Sequence, residues 1–489
     1  MHIIDRIDQW ANRAPDRIAH RSGERSLTYA ELTARSNALA VALQARLGDS
    51  RAPIAVCGHK EPEMLIAFLA AVKSGHPYVP IDSSIPAQRV ERIVANAGAA
   101  LVLTPAEVAE LSQGAADETA IAQLRRVGEP DPFYILFTSG STGEPKGVVI
   151  TTANLAAFVD WLTSEHSFAE AGEVFLNQAP FSFDLSVMDL YGSLTTGGTL
   201  FSLTKEHVAN LKLLYVAFAS SGVTTWVSTP SFAQMCLIER TFAQPMLPDL
   251  RRFLFCGETL APETASQLIE RFPQAEVWNT YGPTEATVAT TSIRITREVL
   301  AQHSPLPVGH AMPGTEVFIR GEDGQRVAEG DRGEIIIAGP NVSPGYLGRA
   351  DLTEKAFFTH NGVRAYRTGD WGRERSALIF FEGRMDGQIK LNGYRIELGD
   401  LEANLRALPE IADAVVLPVQ RGERIDALAA FVVLAGERNG SDFEVSAKLK
   451  SRLGERLPAY MIPRKFKFLD AFPMTTNGKA DRRKLTEML

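Results

Sequence analysis

Short apolar runs alternate with helix-patterned stretches from residue 50 to residue 290, and this alternation constrains the fold more than any other feature of the chain. Pro53–Cys57, Phe133–Phe137, Thr224–Ser228, Arg252–Cys256 and Glu276–Asn279 read as strands, and Glu61–Lys73, Lys212–Ser220 and Pro262–Phe272 as helices. Strands separated by helices pair in parallel, because each helix carries the chain back to the same sheet edge. The expected fold class is α/β, with parallel-rich sheets covered by helices. Thr28 and Glu31 have the spacing of a capping box for a helix through Leu43. Beyond about residue 305 the pattern changes. Glu316–Arg320, Gly333–Ala338 and Leu378–Glu382 read as short strands between Gly and Asp turns, a small β-rich subdomain over about 305–383. Residues 387–489 read as α+β, with an amphipathic helix Gly399–Leu408, strands Ala414–Val419 and Leu428–Val433, and a helix Val445–Leu453. The boundary falls at Arg384–Asp386, between a large N-terminal domain, 1–383, and a small C-terminal one, 387–489.

The composition excludes several classes of function. With 50 basic and 58 acidic residues the net charge is −8, which lacks the basic excess of a nucleic-acid binder. At 45% hydrophobic and 22% charged, the 489 residues suffice for more than one packed core. A membrane helix needs about 18 or more apolar residues in a row. The longest candidate, Ala67–Val72, is closed off by Lys73. The N-terminus, with Asp5 and Arg6, has charge where a signal peptide needs an apolar core, so a cytoplasmic location is expected. Cys57, Cys236 and Cys256 are odd in number and far apart, which argues against a disulfide framework or a zinc site.

Five segments carry chemistry. The first, Thr138-Ser-Gly-Ser-Thr-Gly-Glu-Pro-Lys146-Gly, directly follows a strand. Gly140 and Gly143 let backbone approach a ligand, the hydroxyls of Ser139, Ser141 and Thr142 donate to phosphate oxygens, and Lys146 adds a cation. It is not a Walker A loop, because Val148–Ile150 continues as a strand where a helix is required. The second is Asn279-Thr-Tyr-Gly-Pro-Thr-Glu285, at the end of a strand, where ligands of open α/β sheets bind. Tyr281 offers a ring to a base and Glu285 an oxygen to Mg²⁺; alone, the segment also fits a simple strand and turn. The third, Tyr366-Arg-Thr-Gly-Asp370, puts an Asp on a tight turn, suited to a ribose diol but common as a structural turn. The fourth runs from Gly383 and Arg384 through Asp386, Lys390 and Gly393 to Glu397. The fifth is Asn477-Gly478-Lys479, which by itself also fits a solvated basic tail with Arg482, Arg483 and Lys484.

In this order the five segments resemble the adenylate-forming superfamily of acyl-CoA synthetases, luciferases and peptide-synthetase adenylation domains, over nearly the whole chain. The resemblance implies ATP and Mg²⁺. Thr138, Ser139, Gly140, Ser141, Thr142, Gly143 and Lys146 would embrace the phosphates. Asn279 and Tyr281 would contact adenine, and Thr280, Gly282, Pro283 and Thr284 would line the nucleotide. Glu285 would ligate Mg²⁺, and Asp370 would bind the ribose, with Phe381 and Arg384 nearby. Lys479 would bridge the substrate carboxylate and the α-phosphate, as the catalytic cation with Lys146. Asp386 would be the hinge of a mobile C-terminal domain, and Lys390 and Gly393 would belong to the face used in the second half-reaction. A substrate carboxylate is already ionised at neutral pH, so cations and amides serve it better than a general base.

Asp184 lies in Phe181-Ser-Phe-Asp184-Leu-Ser-Val-Met188. In amino-acid-activating members an Asp here pairs with the substrate ammonium; it also suits an N-cap for a helix starting near Leu185. The other matching pocket positions are Leu185, Met188, Ser228, Leu254, Cys256, Thr280, Val288 and Ala289. Met188 and Cys256 fill space that a bulky substrate would need, so a small amino acid is expected. The runs Phe175–Tyr191, Ser228–Phe232 and Phe255–Glu258 resemble the superfamily's D-alanine-activating members. Those load the phosphopantetheine thiol of a separate carrier protein, as in D-alanylation of teichoic acids. The alternatives are a stand-alone adenylating enzyme for another small amino acid in natural-product assembly, an acyl-CoA synthetase and a non-catalytic nucleotide-binding protein. The expected partners are thus a small amino acid and a carrier protein in trans, with no nucleic acid and no membrane span, and the expected state is a monomer.

Overall fold

The computed structural model describes every residue except 141–143, 171, 386, 392–393, 422–423, 437–439 and 475–479. Ser141, Thr142, Gly143, Asp386, Gly393 and Lys479 therefore lie outside the described residues. The chain divides into two units. One comprises Met1–Asp82, Ala97–Leu136 and Gly147–Met385; the other comprises Ser83–Asn96, Phe137–Lys146 and Asp386–Leu489.

The expected α/β alternation is realised. Among the described residues, one sheet has nine strands, with a parallel centre in the order Glu276–Tyr281, Arg252–Phe255, Thr225–Ser228, Val174–Asn177, Thr199–Ser202 and Ile18–Ser22. Antiparallel strands flank it on both sides. A second sheet of six strands includes the parallel run Leu101–Leu103, Ile54–Gly58, Tyr78–Asp82 and Pro132–Thr138. The β-rich stretch forms an antiparallel sheet of Glu316–Arg320, Gly333–Ala338, Val363–Arg375, Phe357–His360 and Leu378–Arg384. The capping box closes as expected, with Thr28 accepting from the Glu31 amide, and opens a helix that runs to Leu47.

Helix Pro62–Lys73 is buried on every face. A helix with no solvent side needs an apolar surface all round, which Met64-Leu-Ile-Ala-Phe-Leu-Ala-Ala-Val72 supplies. Lys73 at its end is buried too, and its three ammonium protons go to Asp8 at 2.7 Å, Ser36 at 2.9 Å and Asn37 at 2.8 Å. This cation also faces the negative end of the helix dipole.

In the second unit, a ribbon of Gln388–Leu391 and Tyr394–Glu397 precedes helix Leu398–Arg406. A three-stranded sheet follows, made of Ile411–Arg421, Arg424–Leu434 and Lys465–Phe468. Ile396, Leu401, Leu405, Val416, Ala430 and Leu453 form its core.

His20 and His166 of the first unit are buried without a charge partner among the described residues. His20 Nε2 meets Ser202 Oγ at 2.9 Å, and His166 lies edge-on to Trp278 with ring centroids 4.7 Å apart. Burial, reinforced by nearby cations, pushes each imidazole down from 6.5 to about 3. The unfolded chain takes up these protons near pH 6.5 and the folded chain only near 3, so stability falls as pH drops through that window. The slope is up to about 1.4 kcal/mol per pH unit for each histidine. Replacing His166 by Gln is expected to flatten the dependence of the urea midpoint on pH between 6.5 and 4; an unaltered slope would contradict this account.

Candidate nucleotide and amino-acid site

The site begins where parallel strands end together. Ser228, Phe255 and Asn279 are in register on adjacent strands, so Cys256, Thr280 and Tyr281 emerge at one edge. Thr280 donates to the Phe255 carbonyl at 2.8 Å, and the Asn279 amide donates to the Pro307 carbonyl at 2.8 Å. These bonds tie the strand end to its neighbour and to the chain that crosses it. Tyr281 Oη donates to Asp370 Oδ2 at 2.5 Å. Arg384 Nη1 donates to Asp370 Oδ1 at 2.6 Å and to the Thr368 carbonyl at 2.7 Å. The Phe381 ring lies 5.9 Å from that of Tyr281. Burial, then the charge of Asp370, pushes the Tyr281 hydroxyl well above its ordinary range, so it stays a donor.

Asp370 differs from expectation in its local structure. It lies inside the long strand Val363–Arg375, where the register shifts between Asp370 and Gly372, and not on a tight turn. Gly369, at φ 68°, lets the strand bend there. Such an irregularity re-aims a side chain, here toward Tyr281.

After Tyr281 the chain folds tightly back. A Cβ on Gly282 would lie 2.6 Å from Ala289 Cα and 2.8 Å from the Val288 oxygen, so only glycine fits. Pro283 leads into a single 3₁₀ turn, Thr284–Ala286. Thr284 Oγ1 donates to Asp184 Oδ2 at 2.6 Å. Asp184 occupies the N-cap position of helix Leu185–Thr196, yet its side chain makes no capping bond. The capping alternative therefore fails, and the half-buried carboxylate turns to Thr284 instead. Glu285 is fully buried; Tyr346 Oη donates to its Oε1 at 2.8 Å, and its carbonyl accepts from the Ser343 amide at 2.9 Å. Met188, Cys256 and Val288 are buried in one apolar cluster with Leu185, Leu254 and Ala289. The Cys256 thiol donates to the Val288 carbonyl at 3.6 Å. Ser228 is used internally, accepting from Trp226 Nε1 at 2.7 Å.

The glycine-rich segment belongs to the second unit as far as Lys146, the first residue of strand Lys146–Thr151. That strand replaces the helix a Walker A loop would need. A Cβ on Gly140 would stand 2.3 Å from the Glu144 oxygen, so position 140 admits only glycine. Ser139 Oγ donates to the Arg395 carbonyl and accepts from the Glu397 amide, both at 3.1 Å. Thr138 Oγ1 is buried and has no hydrogen-bond partner among the described residues. Lys390 faces Arg395 across the ribbon.

Residues 7–347 match the model of the AMP-binding enzyme family, and residues 400–479 match its C-terminal domain. The chain belongs to the AMP-binding enzyme family. It is 48% identical over 499 residues to a D-alanine–D-alanyl carrier protein ligase of Bacillus licheniformis, covering 100% of this chain and 99% of the relative. The ligase of the same name from Bacillus anthracis is 48% identical over 498 residues, with 99% of each chain covered. Among solved structures, the adenylation domain AlmE of Vibrio cholerae, in complex with glycyl-adenosine-5'-phosphate, has a TM-score of 0.86 at 21% identity. The match covers 99% of this chain and 97% of that one, and shows the shared fold. An NRPS protein containing adenylation and PCP domains matches with a TM-score of 0.82 at 27% identity, covering 100% of this chain and 84% of its own.

Within this AMP-binding enzyme, sequence reading overlooked Tyr346 and Asn341. Both lie in Pro340–Tyr346, a stretch of Pro, Gly and Ser residues that reads as an ordinary loop. Their bonds to the 285–290 turn exist only once the β-rich sheet is folded. Replacing Tyr281 by Phe removes the neutral donor to Asp370 and leaves Arg384 alone to hold it. Calorimetric titration with ATP is expected to show about tenfold weaker binding, the usual size of a lost hydrogen bond to a charged group.

Proposed function

We propose that the chain activates D-alanine with ATP and then loads it onto the phosphopantetheine thiol of a separate carrier protein. The observation that carries this reading is the 48% identity that runs the full length of D-alanine–D-alanyl carrier protein ligases. In the first step a carboxylate oxygen of D-alanine attacks the α-phosphorus of ATP, a P–O bond forms, and pyrophosphate leaves. In the second the thiol sulfur attacks the acyl carbon, AMP leaves, and the thiol proton passes to solvent.

Each residue's part follows from its chemistry. Asp184, steadied by Thr284, pairs with the substrate ammonium. Met188, Cys256 and Val288 close the space beyond the alanine methyl. Tyr281, Asp370, Phe381 and Arg384 receive adenine and ribose, with Asn279 shaping the strand end. Thr138, whose buried hydroxyl has no hydrogen-bond partner among the described residues, and the backbone at Gly140 suit phosphate oxygens. Glu285 is a hard oxygen donor suited to Mg²⁺, and among the described residues no cluster of three or more metal-binding side chains exists. That fits an ion held by one carboxylate and by substrate phosphates, where it would neutralise charge on the phosphates. Lys146 and Lys479 act as cations at the phosphates and the substrate carboxylate, residues 384–386 link a 1–383 domain to a 387–489 domain with Asp386 as pivot, and Lys390 and Gly393 serve the thiol step. Among the described residues no helix is long and apolar enough to cross a membrane. A cytoplasmic location, with ATP at hand, completes the proposal.

ATP–pyrophosphate exchange with a panel of D- and L-amino acids tests the first step. D-alanine is expected to be preferred, and carrier protein bearing phosphopantetheine to become D-alanylated. Asp184→Ala is expected to lower kcat/KM for D-alanine by about a hundredfold while ATP still binds. That is less than the full cost of breaking a buried ion pair, because this carboxylate is half-exposed. Exchange with L-amino acids or fatty acids alone, or an unimpaired Asp184→Ala, would overturn the reading.

A further inference from the structure

Two consecutive β-branched residues, Thr287 and Val288, have φ values of 55° and 70°. This left-handed region is uncommon for any residue but glycine and is a genuine outlier for β-branched ones. Backbone strain of this kind persists only where surroundings over-determine it, and it concentrates at functional sites. Glycine at either position would remove it without lengthening the turn.

One residue supplies most of the restraint. Asn341 lies between strands Gly333–Ala338 and Gly345–Tyr346 and has no solvent exposure. Its Nδ2 donates to the Ala286 carbonyl at 2.9 Å and to Thr290 Oγ1 at 2.9 Å. Its backbone carbonyl accepts from Thr287 Oγ1 at 2.7 Å. Both ends and the middle of the strained turn are thus tied to a single residue. Thr315 Oγ1 in turn donates to Asn341 Oδ1 at 2.9 Å, which orients the amide so that Nδ2 faces the turn. The opposite side of the turn has no room to yield, because Gly282 packs directly against Ala289 and the Val288 oxygen. What the strain achieves is the placement of Val288, whose carbonyl meets the Cys256 thiol at 3.6 Å and whose side chain is buried in the apolar cluster that also holds Met188. The same turn begins at Thr284, the partner of Asp184.

We infer that Asn341 is a positioning residue for amino-acid specificity, holding Val288 against Cys256 so that the pocket wall distinguishes D- from L-alanine. The inference rests on the D-alanine reading above. Enantiomers anchored by ammonium and carboxylate differ only in which side the methyl occupies. A third contact must tell them apart, and it does so only if the wall cannot relax. Without the Asn341 bonds, Thr287 and Val288 relax toward ordinary φ values and the wall moves away from its place.

Exchange assays with D- and L-alanine on wild type, Asn341→Ala and Thr315→Val test this. Asn341→Ala is expected to lower the D-over-L ratio of kcat/KM by about tenfold, within the range that one methyl-sized contact commands. Thr315→Val, nearly isosteric, is expected to lower it in the same direction by about threefold, as the loss of one neutral hydrogen bond would. A merely structural role lowers the melting temperature and the active fraction, but the D-over-L ratio is independent of how much enzyme is folded. If Asn341→Ala does not fold, Thr315→Val carries the test. A wild-type ratio in Thr315→Val, or in both variants, overturns the inference and leaves the D-alanine reading intact. A wild-type enzyme with no preference for D-alanine overturns that reading, and the inference with it.

Discussion

Parallel strands must all begin at one edge of a sheet and end at the other, and the candidate site of this chain is a consequence of that constraint. Each crossover helix returns the chain to the starting edge, so residues following Ser228, Phe255 and Asn279 are delivered side by side although they are distant in sequence. The backbone groups at strand ends lack ladder partners and must be satisfied by turns and side chains. Thr280 on the Phe255 carbonyl and Asn279 on the Pro307 carbonyl are the local solutions, and they leave the strand end rigid. Tyr281 then reaches across to Asp370 because the β-rich sheet brings an irregular strand to the same place.

Several polar and charged groups buried beneath this edge are joined in one network. Lys60 is buried and donates to Asn177 and to the Ala179 carbonyl, and burial pushes its ammonium down to about 7. Asn177 is held by Ser202 and donates to Asp189 on the helix that carries Met188. An unpaired ion at such a depth would cost far more than these neutral and charged bonds return, so the network packs as one piece. Segment Ala179–Asp184 inherits its position from that network, since its first carbonyl accepts from both Lys60 and Asn177.

Much of this arrangement was legible before any fold was known. Strands Glu316–Arg320 and Gly333–Ala338 and the start of helix Pro262–Arg271 fall where the residue pattern puts them, because turn glycines and an N1 proline mark their ends. The Asn279–Glu285 segment was legible as a candidate site because strand ends of α/β sheets bind ligands. Asp370 was found, but on a strand irregularity and not on the expected turn, because Thr-Gly-Asp has the local preference of a turn and only cross-strand pairing overrides it. Asp184 was open between capping and binding in the sequence; folded, its side chain makes no capping bond and accepts from Thr284, which arrives from another strand end.

The sequence by itself determined the α/β class and the family, and it singled out the candidate site side chains, since these depend on local periodicity and on short motifs. Tertiary structure alone decided which of them meet. Asn341 and Tyr346 hold the 285–290 turn from a loop with no motif of its own. Arg89 reaches Asp400, and Ser139 reaches Arg395 and Glu397, within a unit that gathers segments from distant parts of the chain. Pairings across such separations leave no trace in spacing, because the closure of long loops is governed by packing of whole sheets and not by the residues at the contact. The left-handed φ values at Thr287 and Val288 belong to the same class. Local preference argues against them, and only bonds made from elsewhere in the fold maintain them.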